Sequence, residues 1–414
     1  MLRSDLAGLG FREAERVPTD GNPGVWGFYD AGAPKTLVVY MMYDVQPVEI
    51  DAWSTDPFAG TLVERPGVGT LLVARGASNQ KGPERAFLNA LQAILAVDGT
   101  LPVNVMVVAD GEEEIGSPHF QQVLAPYAER MRGAEGVVLL NTNQWSDGYT
   151  ELPLGVKGLL YLELRASNGL DAPLHSSYAG VVPNPAIHLV QALASLTSPD
   201  GRTIAVSGYY DRVREPTAQD LAMIRGMSHD WGGLPLAEGL DPEGATADLL
   251  FLPTFNVSGI TGGFVDEGMK TITPNTAKAR IDTRLVPDMT PEDALERIRA
   301  HLAAGGFGDI EIEVLAAFPP GQSRADTSLV RAVVRSSNRW TDVVALAPRS
   351  GGAGPLYQLT GLGLPFCPVG MGFSDGAHAP NELMLIEPAE GLPPLGLAGV
   401  EKAYVDFLFA LAEP

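Results

Sequence analysis

The chain is nearly without cysteine: Cys367 stands alone, so no disulfide can form within it. Basic residues are also few, 28 Lys and Arg against 50 Asp and Glu, which leaves a formal net charge of -22. A surface of that sign repels nucleic acid and anionic lipid unless basic residues gather locally, and no Lys/Arg cluster occurs along the chain. No apolar run approaches the ~20 residues that a membrane-spanning helix needs. The N-terminus lacks a basic region followed by a long apolar segment, the mark of a secretory leader. Nucleic-acid and membrane partners are therefore not expected, and the cytoplasm is the expected compartment.

Hydrophobic residues make up 45% of the chain and its mean hydropathy is +0.06, values that exclude disorder. At 414 residues the chain exceeds the roughly 250–300 at which single cores stop growing, so two domains are expected. In the first part, continuous apolar runs alternate with helical patterns, which predicts an α/β mixed or parallel sheet flanked by helices. Leu37–Met42, Asn104–Ala109 and Val137–Leu140 read as buried strands, and Pro83–Leu95 sets Phe87, Leu91 and Ile94 on one helical face. From Gly158 the pattern changes. Leu159–Arg165 reads as a strand, Asn184-Pro185 opens a helix striped with Ala186, Leu189, Val190, Leu193 and Leu196, and Ala277–Leu285 alternates as a strand. Thr290 starts a further capped helix, and Asp309–Val314 closes the unit as a strand. Between Ser198 and Phe251 only one helix, Ala218–Met227, is legible. The α/β character resumes after Phe318-Pro319-Pro320 and ends in a helix within Leu395–Leu411. The expected division is 1–157 and 319–414 as two segments of one α/β catalytic domain, with 158–318 an inserted α+β domain.

Two strings follow the buried strands directly: Tyr43-Asp44-Val45-Gln46-Pro47 after the first, and Gly111-Glu112-Glu113-Glu114-Ile115-Gly116-Ser117 after the second. Adjacent carboxylates repel each other, so at neutral pH one of Glu113 and Glu114 should be protonated, paired or metal-bound. Taken alone, a Glu pair is more often a solvated charge run, and Gly76-Ala77-Ser78-Asn79-Gln80-Lys81-Gly82 is an ordinary Gly-rich loop before a helix.

Together with Ala377-His378-Ala379-Pro380-Asn381-Glu382, these strings resemble the active-site loops of the co-catalytic zinc aminoacylase, carboxypeptidase and dipeptidase family, which includes carnosine dipeptidase and the acetylornithine and succinyl-diaminopimelate deacylases. The resemblance covers most of the chain. It implies a phosphorylase/hydrolase-like mixed-sheet catalytic domain with an inserted ferredoxin-like lid, which in the family also makes the homodimer contact. It further implies five former metal positions: Met42, where the family has His; Asn79, where it has a bridging Asp; Glu114; Asn141, where it has Asp; and His378. A thioether is a weak zinc ligand, and an amide cannot compensate two dications as a carboxylate does. Glu114 and His378 remain as good ligands where catalytic zinc takes three. No dinuclear zinc cofactor is expected, while a weak single metal at Glu114 and His378 stays open.

By the same resemblance Glu113 is the general base and Asp44 the residue that orients the first ligand. His175, in Leu174-His175-Ser176-Ser177, polarises the scissile carbonyl across the dimer interface as an oxyanion-type donor. Arg284 and the loop Arg349-Ser350-Gly351-Gly352 bind a substrate carboxylate, for which a guanidinium fork is suited, and Asn256 adds a polar contact. His119, His188, His229 and His301 match nothing and are expected to be structural or exposed. Relatives carry a further helical segment before the first strand, whereas Met1 lies close to it here; a late gene start or a reduced cover on that sheet face is expected.

These residues imply a hydrolase-like enzyme acting on a small N-acyl amino acid or dipeptide-like carboxylate. Asp44, Glu113, Glu114 and His378 would be its acid/base groups in place of two zincs. An acid/base pair without metal equally suits proton abstraction beside a carbonyl, as in an isomerase or lyase. The alternative is a non-catalytic relative that binds a small carboxylate.

Overall fold

The computed structural model describes residues 1–413. Its larger sheet has six strands in the order Glu13–Val17, Gly24–Tyr29, Asn104–Asp110, Thr36–Met42, Val137–Leu140 and Phe366–Val369. The last four run parallel, and the first two form an antiparallel hairpin on one edge. Parallel strands are covered on both faces, which is why these read as unbroken apolar runs. On one face the helices Lys81–Asp98, Ser328–Ser337 and Leu397–Ala412 close over Val39, Met41, Val105 and Val107. On the other, Val38, Tyr40, Met106 and Val108 pack with Phe120, Leu124 and Leu359. Successive residues of one strand thus enter opposite cores, as the period of two demands.

A second sheet, antiparallel throughout, is built from Thr254–Gly262, Thr276–Leu285, Gly158–Ser167 and Glu311–Phe318, in that order. With the helices Pro185–Ser195 and Pro291–Ala304 between its strands, the connectivity is that of a ferredoxin-like unit inserted into the α/β chain. Local chemistry starts both helices: the Asn184 side chain accepts from the amides of Ala186 and Ile187, that of Thr290 from Asp293, and each is followed by proline. Their inward residues Leu189, Leu193, Ile298 and Leu302 join Leu160, Leu162 and Ile281 in a core separate from that of the larger sheet. The molecule is therefore a mixed α/β catalytic domain with an inserted antiparallel-sheet domain, the lid.

The stretch in which the sequence reveals one helix carries two, Ala218–Gly226 and Pro242–Phe251. The second buries Leu250 and Phe251 at its C-terminal end against Ile224, a contact too short to leave a periodic stripe. Among the described residues, no helix is long and apolar enough to cross a membrane.

The parallel strands bring their carboxyl ends to one edge: Met42 lies opposite Asp110, and Leu140 opposite Val369. Open α/β sheets take their ligands in the crevice outside such ends.

Candidate active site

The loops leaving that edge meet at Glu114. Its backbone amide donates to Asp44 Oδ2 at 2.9 Å, which ties the loop after Met42 to the loop after Asp110. Its carboxylate accepts from Asn79 Nδ2 at 2.7 Å on one oxygen and from Gln46 Nε2 at 2.8 Å on the other. His378 Nε2 lies 3.1 Å from that second oxygen and 3.1 Å from Asn79 Nδ2. Asn79, Glu114 and His378 thus form one closed cluster, with Gln46 as a fourth member. Met42 is buried at its strand end, two residues before Asp44, and its amide donates to the buried carboxyl of Glu84 at 2.7 Å.

Asn79 is held in place by Glu382, which is fully buried. One Glu382 oxygen accepts from the amides of Ser78 and Asn79 at 2.8 and 2.7 Å; the other accepts from the amide of Gly76 at 2.9 Å and pairs with Arg75 at 2.6 Å. The turn from Gly76 to Asn79 is therefore wrapped around a single carboxylate. Gln80 donates to the carbonyl of Leu140, and Lys81 to that of Tyr43 at 2.6 Å, so the same turn is stitched to two strand ends.

Glu113 sits next to this cluster and against Gly354. Burial, followed by the charges of Glu114, Asp44 and Asp110, pushes its carboxyl up to about 8. Beneath it, the second oxygens of Asp44 and Asp110 and the Tyr40 hydroxyl are buried with no hydrogen-bond partner among the described residues. At the next strand end, the Asn141 side chain accepts from the amide of its neighbour Thr142 at 2.9 Å. It is the Thr142 hydroxyl that reaches the site's margin, through Ser374 to Ser78.

The lid residues divide into two groups. Arg284 lies on the strand Thr276–Leu285 and is partly exposed, with a loose pair to Asp282 at 3.8 Å. Asn256, on the neighbouring strand, donates to the other Asp282 oxygen at 2.8 Å, so Asp282 links the two. His175 is exposed; its backbone pairs with Ile272, and its ring bonds to Ser177 within its own turn. Arg349, by contrast, is 1% exposed. It lies on the ring of Phe251 at 4.3 Å, donates to the carbonyl of Leu250 at 2.6 Å and gives two more bonds to Gln322. Its guanidinium is occupied by the protein itself. Ser350 and Gly351 follow as backbone: the amide of Ser350 donates to Gly155, and Gly351 lies against Leu249. His119 is paired with Glu112 at 2.7 Å and His188 with Asp309 at 2.9 Å, away from the cluster.

Glu84, Gln46, Glu382 and Thr142 were not legible as site residues. Gln46 and Glu382 stand inside the strings that drew attention, yet a glutamine or a buried glutamate in a loop has no signature of its own; Glu84 is an acid on an otherwise apolar helix face, the one signal available.

Comparison with known proteins gives three findings. Residues 154–309 match the model of a peptidase dimerisation domain. A solved M20 family metallo-carboxypeptidase from Sulfolobus solfataricus superposes with a TM-score of 0.87 at 30% identity, covering 99% of this chain and 92% of that one. The Cys-Gly metallodipeptidase of Schizosaccharomyces pombe is 29% identical over 306 residues, 71% of this chain and 63% of its own length, and the mouse Beta-Ala-His dipeptidase is 26% identical over 365 residues, 84% and 73%. The chain thus matches under two thirds of the length of the yeast relative.

Proposed function

This chain belongs to the M20 peptidase family, and from that premise we propose that it acts on a small N-acyl amino acid or dipeptide-like carboxylate without a dinuclear zinc centre, with Glu113 as its proton-transfer group. The similar proteins are metallodipeptidases and a metallo-carboxypeptidase, so the donor set has to be tested against two zinc ions. It does not fit them. Met42 offers a buried thioether, Asn79 turns an N–H toward Glu114, and both Glu114 oxygens already accept from neighbouring side chains. Among the described residues, no three His, Cys, Asp or Glu side chains gather as a metal site requires. The closed network of Gln46, Asn79, Glu114 and His378 is the observation that carries the reading, because neutral amides and one imidazole satisfy the carboxylate in it.

The proton chemistry then falls to Glu113. A carboxyl that titrates near 8 can take a proton from water and return it to a leaving amine close to neutral pH. Arg284, with only a loose partner, is the contact for the substrate carboxylate. His175 of a second copy is the oxyanion donor, since its own turn leaves the ring exposed. Metal analysis of the purified protein beside a screen of N-acyl amino acids and dipeptides tests this. The expected result is well under two zincs per chain and a turnover that chelators leave intact. Two metals bound roughly 3.5 Å apart in the cleft would overturn the proposal, and a carboxylate that binds near Arg284 without ever being turned over would make this a binding site.

A further inference from the structure

Lys157 has no exposed surface at all, and Arg349 has 1%. Buried cations are normally paired with carboxylates, yet neither of these touches one. Lys157 Nζ donates to the carbonyl of Leu252 at 2.6 Å, and Arg349 Nη1 to the carbonyl of Leu250 at 2.6 Å. Both acceptors belong to the carboxyl end of the helix Pro242–Phe251, whose last turn contains no basic residue of its own. A helix end leaves carbonyls unsatisfied and carries partial negative charge, so two cations brought from elsewhere in the chain complete it.

The place matters as much as the pairing. Lys157 stands where the chain enters the lid, one residue before the strand Gly158–Ser167, and Leu252 stands just before the lid strand Thr254–Gly262. The returning chain pairs Gly321 and Gln322 with Val156 and Gly155, and Gln322 holds Arg349; the amide of Lys157 donates to Gly352 at 2.8 Å. The two crossings between catalytic domain and lid thus lie side by side, joined by backbone pairing and, through these two side chains, to the end of the helix Pro242–Phe251. Arg284 emerges at the same end of the lid sheet, in register with Thr254 and Leu159.

We propose that Lys157 and Arg349 are positioning residues: they fasten the lid to the catalytic domain at the carboxyl end of the helix Pro242–Phe251 and, as cations standing behind Arg284, hold it open as the contact for a substrate carboxylate. The second half rests on the functional reading above; the first does not. Like charge behind Arg284 discourages it from folding back, and an incoming carboxylate meets the potential of several cations, whereas the corresponding amide does not. Asp220, which forms a capping box with Thr217, is the carboxylate whose charge acts on Arg349, and the charge of Arg214 opposes it there. Burial and the charges of Arg349 and Arg284 hold the Lys157 ammonium down to about 8, in keeping with a cation that lacks a counter-ion.

The experiment has two readouts on the full chain. Hydrogen exchange of residues 250–256 reports the clamp without any ligand, and calorimetric titration with N-acetylglycine and with N-acetylglycinamide reports the carboxylate preference. Lys157→Met should speed exchange there and weaken N-acetylglycine by about 10-fold, the order expected for one unit charge that acts on the ligand through space rather than by contact, with the amide unaffected; Lys157→Arg should restore both. Should Lys157→Met not fold, Lys157→Gln, which keeps a donor and removes the charge, should preserve slow exchange while losing the carboxylate preference. Unchanged exchange and unchanged preference in Lys157→Met would overturn the proposal. Arg284→Met should lose the preference with exchange unaltered; if it keeps the preference, the functional reading of Arg284 fails, while the exchange result still decides on the clamp.

Discussion

Glu84, which is buried, and Glu113, which is half-buried, are both carboxyls pushed up to about 8, chiefly by desolvation, and their consequences differ. For Glu113, as the proposed proton-transfer group, the consequence is kinetic. A base works only when ionised, so the rate should climb as pH rises through about 8. Glu113→Gln keeps the size and removes proton transfer, and should cut turnover by about 100- to 10,000-fold with the circular dichroism spectrum unchanged. A variant with full activity would end the assignment. For Glu84 the consequence is stability. The folded chain keeps this proton up to about pH 8, whereas an unperturbed Glu releases it near 4.5. Between those values the native state binds more protons than the unfolded one, so stability should fall as pH rises across that window and level off above it; Glu113 contributes with the same sign. Glu84→Gln can still accept the amide of Met42 and should flatten the decline. At roughly 1.4 kcal/mol per unit of pKa, the difference between variant and wild type should be plain in denaturant midpoints taken at pH 5 and pH 8. Parallel slopes would assign the dependence to other groups.

The turn from Gly76 to Asn79 owes its shape to an element far away in sequence, the loop that ends in Glu382. Removing that side chain strips three amides and Arg75 of their acceptor inside the protein. Glu382→Ala should therefore cost about 3–5 kcal/mol, the penalty of leaving a buried charge uncompensated, and should speed hydrogen exchange through Gly76–Gly82 before the rest of the sheet. Exchange that stays slow in this turn would mean that Gln80 and Lys81 hold it without Glu382. Long-range dependence of this kind also marks where the sequence could be read and where it could not. Strands such as Val137–Leu140 and helix starts such as Asn184 and Thr290 are written in residues adjacent along the chain, and the structure forms them there. The helix Pro242–Phe251 has such a start, Asp241 accepting from the amide of Gly244 ahead of Pro242, but it lacks an apolar stripe, and its carboxyl end meets a short contact with Ile224 and the side chains of Lys157 and Arg349. The site divides in the same way. Glu113, Glu114, Asn79 and His378 stand in recognisable strings and converge, whereas the roles of Glu84, Glu382 and Arg349 depend on partners that only the fold brings near. Arg349 is the instructive case: a guanidinium in a loop invites an anion, but burial under Phe251 commits its donors to Gln322 and Leu250.

At the scale of the whole molecule the lid leaves a surface that a second copy can complete. The helix Pro185–Ser195 turns Leu189 and Leu193 inward and leaves Ile187 57% and Val190 52% exposed. The strand Thr254–Gly262 lies at the edge of the lid sheet, with Ile260 55% exposed and one side of its backbone unpaired within the sheet. Edge strands invite pairing with another strand, and a two-fold partner would present the same patch. Residues 154–309, which contain both elements, match a peptidase dimerisation domain. Against association stands the net charge of -22 on each chain, whose mutual repulsion extends over roughly 30 Å at 0.01 M salt but only about 8 Å at 0.15 M. An apolar, backbone-paired interface should therefore tighten as salt is added, whereas one made of ion pairs should loosen. Light scattering at micromolar concentration is expected to show a dimer whose share grows between those salt levels, and Ile187→Asp combined with Ile260→Asp should return it to monomer, since each change adds a buried charge to both halves of the patch. A dimer that salt weakens would point to a polar interface elsewhere. A wild-type monomer at every salt level would remove the shared site as well, because His175 could then reach no neighbouring cleft.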